Sequence, residues 1–135
     1  MIELFKISEN DFKFLYEILQ ERESEQSITH TKNPSYDDHV SFIKSKPYSN
    51  WYIIFQNKER IGTVYISTED EVGIFIKKKF QRKGIGKESL NKLIEKNPRK
   101  KLYANVNPHN LKSIQFFENF GFKLVQQTYE LSGHS

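Results

Sequence analysis

Residues Lys77–Leu90 read KKKFQRKGIGKESL, and the reading of this stretch decides the fold. Six basic residues and two glycines precede its first carboxylate, Glu88. Before it lies EVGIFI, residues 71–76, whose β-branched and aromatic residues predict a strand. After it, Leu90, Leu93 and Ile94 mark a helix over Ile85–Lys96, stopped by Asn97-Pro98. The stretch is thus a strand-to-helix passage with Gly84 and Gly86 at the junction. Glycine there permits φ > 0 and removes the Cβ that would keep a ligand from the backbone. Free N–H groups at a helix start, with the helix dipole, favour an anion. Arg82, Lys83 and Lys87 add the charge a diphosphate needs. By itself the loop allows two readings: a pyrophosphate cradle over Gln81–Lys87, or a glycine-softened turn with a solvated basic face. It is not a P-loop, since it lacks the spacing to a G-K-[ST] ending. It is not a dinucleotide fingerprint either, because Ser89 occupies the third glycine position.

Working outward, Ile2–Ile7 reads as a short strand, and Ser8 as an N-cap with Asp11 three residues on. Phe12, Leu15, Tyr16 and Leu19 predict an amphipathic helix over Glu9–Glu21, followed by a loop from Arg22 to Asn33. A second helix starts at Pro34 or Ser35 and ends before Pro47. NWYIIFQ and RIGTVYIS flank the turn Asn57–Glu59 as a hairpin, and the turn Thr68–Asp70 leads to EVGIFI. KLYANV reads as a buried strand and NPHN as a turn. Leu111, Ile114, Phe117 and Phe120 share one helix face, closed by Gly121. FKLVQQTYEL is the last expected strand. The order β-α-α-β-β-β-α-β-α-β predicts an α/β sheet with helices on both faces.

The chain has 135 residues, a length that fits one domain over 1–135. No run of 18 apolar residues occurs, so no membrane span is expected. There is no cysteine, which excludes disulfides, cysteine-based zinc sites and a thiol nucleophile. No other metal site is expected. Met1–Lys6 does not have the pattern of an export signal, and the cytoplasm is the expected compartment. The net charge of +4 and a pI near 9.2 suit an anionic partner. Nucleic acid is not the expected one: no helix-turn-helix pattern precedes a basic helix, and the aromatics fall at strand positions.

A second motif lies downstream in NVNPHNLKSIQFFENFGF. Together with Gln81-Arg82-Lys83-Gly84-Ile85-Gly86 it resembles the GNAT superfamily of acetyl-CoA-dependent N-acetyltransferases. The first motif matches the family's Q/R-x-x-G-x-G/A. The second matches N-x-x-[AS]-x-x-[FL]-[YF]-x-x-x-G-F at Asn110, Ser113, Phe116, Phe117, Gly121 and Phe122. The resemblance covers Trp51–Leu131 closely and Met1–Asn50 only in element order. It implies a single-domain GNAT-like fold: an antiparallel meander plus a splayed parallel pair, here GIFI and LYANV. It implies acetyl-CoA as cosubstrate, with backbone around Phe75 and Ile76 binding the pantetheine arm. Gln81, Arg82, Lys83, Gly84, Ile85, Gly86 and Lys87 would hold the diphosphate. Asn110, Ser113 and Phe116 would line the other wall, beside Phe117.

Acetyl transfer to an amine needs a base for the ammonium proton and benefits from an acid at the leaving thiolate. The resemblance implies a tyrosine acid at the position of Phe117, which has no proton to give. Ser113 and Tyr129 are the substitutes. Glu71, with Asp70 beside it, is the expected base. His30 and Asn105 are expected at the acceptor. His39 and His109 read as structural or solvated, and Trp51, Tyr52 and Phe55 as core. The acceptor is a primary amine of a small molecule, including a nucleotide-linked amino sugar, or of a protein or peptide. A polyamine acceptor would draw on Glu21, Glu23 and Glu25. The alternative is a non-catalytic acyl-CoA-binding domain. Either a monomer or a homodimer fits.

Overall fold

The computed structural model describes residues 1–26, 34–81 and 83–133, with backbone alone for 23–26. Its elements are β1 (Ile2–Lys6), α1 (Phe12–Gln26), α2 (Tyr36–Lys44), β2 (Asn50–Gln56), β3 (Glu59–Ile66), β4 (Val72–Ile76), α3 (Ile85–Lys96) and α4 (Leu111–Phe120). The four strands form one antiparallel sheet in the order β1-β2-β3-β4. Gln56 pairs with Glu59, so the β2–β3 loop is Asn57-Lys58 alone. Both residues have positive φ, 51° and 65°, the backbone of a type I′ hairpin turn.

Strand side chains alternate between faces, and each face of this sheet has its own core. On one, Ile54, Val64, Ile66 and Val72 pack with Leu90 and Leu93 of α3 and Phe117 of α4. On the other, Ile53 packs with Leu15 of α1 and Ile43 of α2. Helices therefore cover both faces, as the sequence predicts.

The helix ends follow local chemistry. The Ser8 N–H donates to Asp11 Oδ2 at 2.8 Å, and Arg60 Nε donates to Asp11 Oδ1 at 2.8 Å, fastening the entry of α1 to β3. Ser35 Oγ accepts from the Asp38 N–H and starts α2. Asn97 ends α3, its Nδ2 donating to the Leu93 carbonyl at 3.0 Å. Helix α1 runs to Gln26 rather than ending near Glu21. ERESEQ lacks an apolar period, but Glu, Arg and Gln are strong helix formers.

Two expected strands do not form. Over 101–106 Leu102, Ala104 and Val106 are partly buried against the core in strand-like alternation. Pairing stops at one parallel bridge between Glu71 and Tyr103. The Val72 N–H donates to the Tyr103 carbonyl at 2.7 Å, and the Tyr103 N–H to the Asp70 carbonyl at 2.9 Å. Residues 122–131 run without turn or bend, and no backbone hydrogen bond from 123–131 joins them to a neighbouring strand among the described residues. A strand needs a partner as well as a pattern, and this sheet lays none beside the segment. Among the described residues no helix is long and apolar enough to cross a membrane.

Candidate active site

The bridge at Tyr103 fixes which way the β4 backbone points. The Val72 N–H faces Tyr103, while the Lys77 N–H donates back to Ile61 of β3 at 2.8 Å. Backbone groups alternate in direction along a strand. Ile74 and Ile76 therefore turn their N–H and C=O toward 101–106, and Phe75 turns its own toward β3. Gln81 Nε2 donates to the Ile76 carbonyl at 2.8 Å, so this carbonyl is already occupied. No backbone hydrogen bond joins Ile74 to 101–106 among the described residues. The seam thus offers unpaired backbone groups at Ile74, a residue the sequence did not single out. Of the two positions expected there, Ile76 keeps its N–H for the seam. Phe75 contributes its side chain to the cavity wall instead.

A cavity of about 380 Å³ lies along this seam. Asn105 Nδ2 donates to Glu71 Oε2 at 2.7 Å, so the expected base and the expected acceptor contact are adjacent. Both line the cavity, as do Asn110, Ser113 and Phe117 from the α4 side. Asn110 also caps α4, its Oδ1 accepting from the Ser113 N–H at 3.2 Å. Tyr129 does not reach this cavity; it is exposed, and its hydroxyl donates to Gln127 Oε1.

The far wall was missed from the sequence. It is formed by Arg22, His39, Tyr48, Trp51 and Tyr65. Register explains it: Trp51 pairs with Tyr65, and Tyr65 with Gly73. A Cβ on Gly73 would sit 2.1 Å from the Tyr65 ring, so the ring lies over the bare glycine. The signal was present in β3 and the residue after it, where Thr63, Tyr65 and Ser67 alternate with Val64 and Ile66. That face is too polar for a plain core. Tyr48 and Tyr65 stack at 3.6 Å between centroids. Burial pushes the Tyr48 phenol well above its ordinary range, and Tyr65 beside it adds to the rise. Tyr48 is therefore a neutral wall. His39 is buried with its Nδ1 unpartnered among the described residues, and burial lowers its pKa.

Gly84 N-caps α3 with φ 75°, the left-handed region, and nothing lies within 4 Å of where its Cβ would be. The helix ladder begins with the Glu88 N–H on the Gly84 carbonyl at 3.2 Å. The first-turn N–H groups of α3 have no partner in that ladder. Gly86 has a different reason to be glycine: its Cβ would meet the Phe116 ring at 3.0 Å. It serves α3–α4 packing, as does Phe116, while the buried Ile85 anchors the first turn in the core. Lys79 lies 3.9 Å from Glu59, and Lys77 sits over the Phe14 ring. Lys83 and Lys87 are exposed and form no ion pair among the described residues. Glu21, considered for a polyamine, accepts from the Lys78 N–H. His30 and Arg82 lie outside the described residues. A shallow groove runs along α3, lined by Glu88, Asn91 and Glu95.

The family model for the acetyltransferase (GNAT) family matches residues 12–122. The chain belongs to this family. GNAT enzymes are acetyltransferases that use acetyl-CoA. A domain from Methanocaldococcus jannaschii is similar at TM-score 0.82 and 24% identity, over 96% of this chain and 93% of that one. The Salmonella typhimurium acetyltransferase that modifies the N-terminal serine of ribosomal protein L7/L12 is similar at TM-score 0.75 and 18% identity, over 98% and 88%. AAC(6')-Iy, solved with a bisubstrate analogue, CoA-S-monomethyl-acetylneamine, is similar at TM-score 0.71 and 13% identity, over 100% and 99%. No curated protein matches in sequence. In this GNAT chain the unpaired Ile74 backbone and the open start of α3 suit a ligand that carries both amides and a diphosphate. Phe117 is buried and packs edge-on against Phe116 and Phe122, without a proton to donate. Among the described residues no three His, Cys, Asp or Glu groups come together as a metal site.

Proposed function

We propose that residues 1–135 form one N-acetyltransferase domain that moves an acetyl group from acetyl-CoA to a primary amine. The acceptor is a small molecule, with nucleotide-linked amino sugars among those to test, or the amine of a protein or peptide. The observation that carries this reading is the Glu71–Asn105 pair, 2.7 Å apart beside the unpaired seam. Ile74 and the Ile76 N–H would pair with the amides of the pantetheine arm. The start of α3 at Gly84, with Lys83 and Lys87, would hold the diphosphate. Acetyl-CoA supplies the activated acyl group.

The remaining chemistry belongs to the chain. Asn105 fixes one oxygen of Glu71 and leaves Oε1 for the acceptor. Glu71 takes the ammonium proton directly or through a water, which frees the nitrogen lone pair. Ser113 lines the same cavity and is the hydroxyl available to the departing thiolate. Phe117 keeps that end of the cavity apolar.

Release of free thiol, measured across a panel of amines, tests the reading. Glu71→Gln should lower kcat about 100-fold, within the usual worth of a positioned base. Full activity of this variant across pH would remove Glu71 from the role. Acetyl-CoA binding with no turnover on any amine would favour the acyl-CoA-binding domain instead.

A further inference from the structure

The seam cavity carries two opposite charges on two different walls. Glu71 stands on the seam side, held by Asn105. Arg22 stands on the far wall, on the face of α1 that also brings Ile18 and Leu19 to the cavity. Among the described residues these are the cavity's one carboxylate and its one guanidinium, and no lysine lines it. They form no ion pair with each other, nor does Arg22 with any other described residue. Glu21, next to Arg22 in the chain, accepts from the Lys78 N–H instead.

An aromatic floor joins the two charges. The Tyr65 ring lies over Gly73, two residues from Glu71. Tyr48 stacks on Tyr65 at 3.6 Å between centroids. Burial and Tyr65 raise the Tyr48 phenol, and the Arg22 charge works against that rise, so the guanidinium is a neighbour of this ring. Trp51 stands edge-on to Tyr48 at 4.8 Å, its Nε1 held by Thr63 Oγ1. The floor is therefore flat-walled and uncharged, with Glu71 toward one end and Arg22 toward the other.

We propose that the acceptor is a small amine built on a flat ring, with a carboxylate or phosphate on the side away from the amine. This rests on the acetyltransferase reading above for the fate of the amine, though not for its binding. The ammonium goes to Glu71 and the ring lies on the aromatic floor, where a stacked or edge-on ring gains beyond its buried area. The anion takes the Arg22 guanidinium, whose planar fork matches either oxyanion. A polyamine, cationic at both ends, would set its second charge against Arg22. The cavity's charges thus select for an amine that also carries an anion.

Trp51 is the chain's only tryptophan, so its fluorescence reports occupancy of this wall. Titrations with CoA present, which has no acetyl group to give, compare four amines on one ring: benzylamine, 4-(aminomethyl)benzoate, 4-(aminomethyl)phenylphosphonate and 1,4-bis(aminomethyl)benzene. An anionic member should bind about tenfold more tightly than benzylamine, and the diamine most weakly. The tighter of the two anions names the group that Arg22 takes. Arg22→Glu should reverse the order and put the diamine first. Equal affinities, no fluorescence change with any of the four at millimolar concentration, or an order indifferent to Arg22→Glu would each overturn the proposal. Thiol release from acetyl-CoA is read separately on the same four amines. Its absence with the binding order intact removes the acetyltransferase reading and leaves a site for anionic amines; turnover with equal affinities does the reverse.

Discussion

Ser89 is completely buried on α3, and its hydroxyl has no hydrogen-bond partner among the described residues. An unsatisfied buried hydroxyl costs about 1–3 kcal/mol, and alanine is the better helix former. Ser89→Ala should therefore stabilise the fold by roughly 1 kcal/mol, read as a higher urea midpoint at unchanged slope. A lower midpoint would show that the hydroxyl is satisfied after all. His39 is also buried, with Nδ1 unpartnered among the described residues, and it stacks on Phe42. Burial lowers its pKa below 6.5 in the folded chain. The sign follows from proton uptake. As pH falls through 6.5 the unfolded chain binds the proton first, so folding loses stability until the folded pKa is reached. Wild type should lose more melting temperature than His39→Phe between neutral pH and pH 5. Parallel curves for the two proteins would contradict this.

Among the elements, the β2–β3 turn carries its own strain. Lys58 adopts φ 65°, where a residue with a Cβ pays roughly 1 kcal/mol. Lys58→Gly should stabilise the hairpin by about 0.5–1 kcal/mol, giving Asn-Gly, the pair that type I′ turns favour. A fall in the denaturation midpoint would count against the turn. Elements whose signals are local were legible in the sequence. Helix α3 begins and ends where Gly84 and Asn97 place it, and Ser35 and Gly121 mark their helix ends as expected. What was not legible depended on partners. KLYANV has the alternation of a strand, yet only Tyr103 finds a neighbour. FKLVQQTYEL has the composition of a strand and no neighbour in its own sheet. The far wall of the cavity stayed hidden because Trp51, Tyr65 and Gly73 come together only through register. Asn105 and Glu71 were read separately, and only the fold shows them hydrogen-bonded.

At the scale of the whole molecule, two cores hold a sheet whose β4 edge parts from the next segment after one bridge. That parting creates the cavity and leaves the Ile74 backbone unpaired. In the function proposed above, backbone at this seam would take the amides of the acyl donor, the start of α3 its phosphates, and the Glu71 carboxylate stands beside them. The central claim is that acetyl-CoA occupies this seam through the loop at Gly84. Thermal melting with acetyl-CoA tests it most directly, on wild type, Gly84→Ala and Gly84→Glu together. Ligand at about a hundred times its Kd adds about 2.7 kcal/mol to the folded state. Wild type should therefore melt several degrees higher with acetyl-CoA. Gly84→Ala should melt lower from backbone strain but keep the shift, and Gly84→Glu should lose it, its carboxylate facing the diphosphate. No shift in wild type at millimolar acetyl-CoA, or an undiminished shift in Gly84→Glu, would contradict the account.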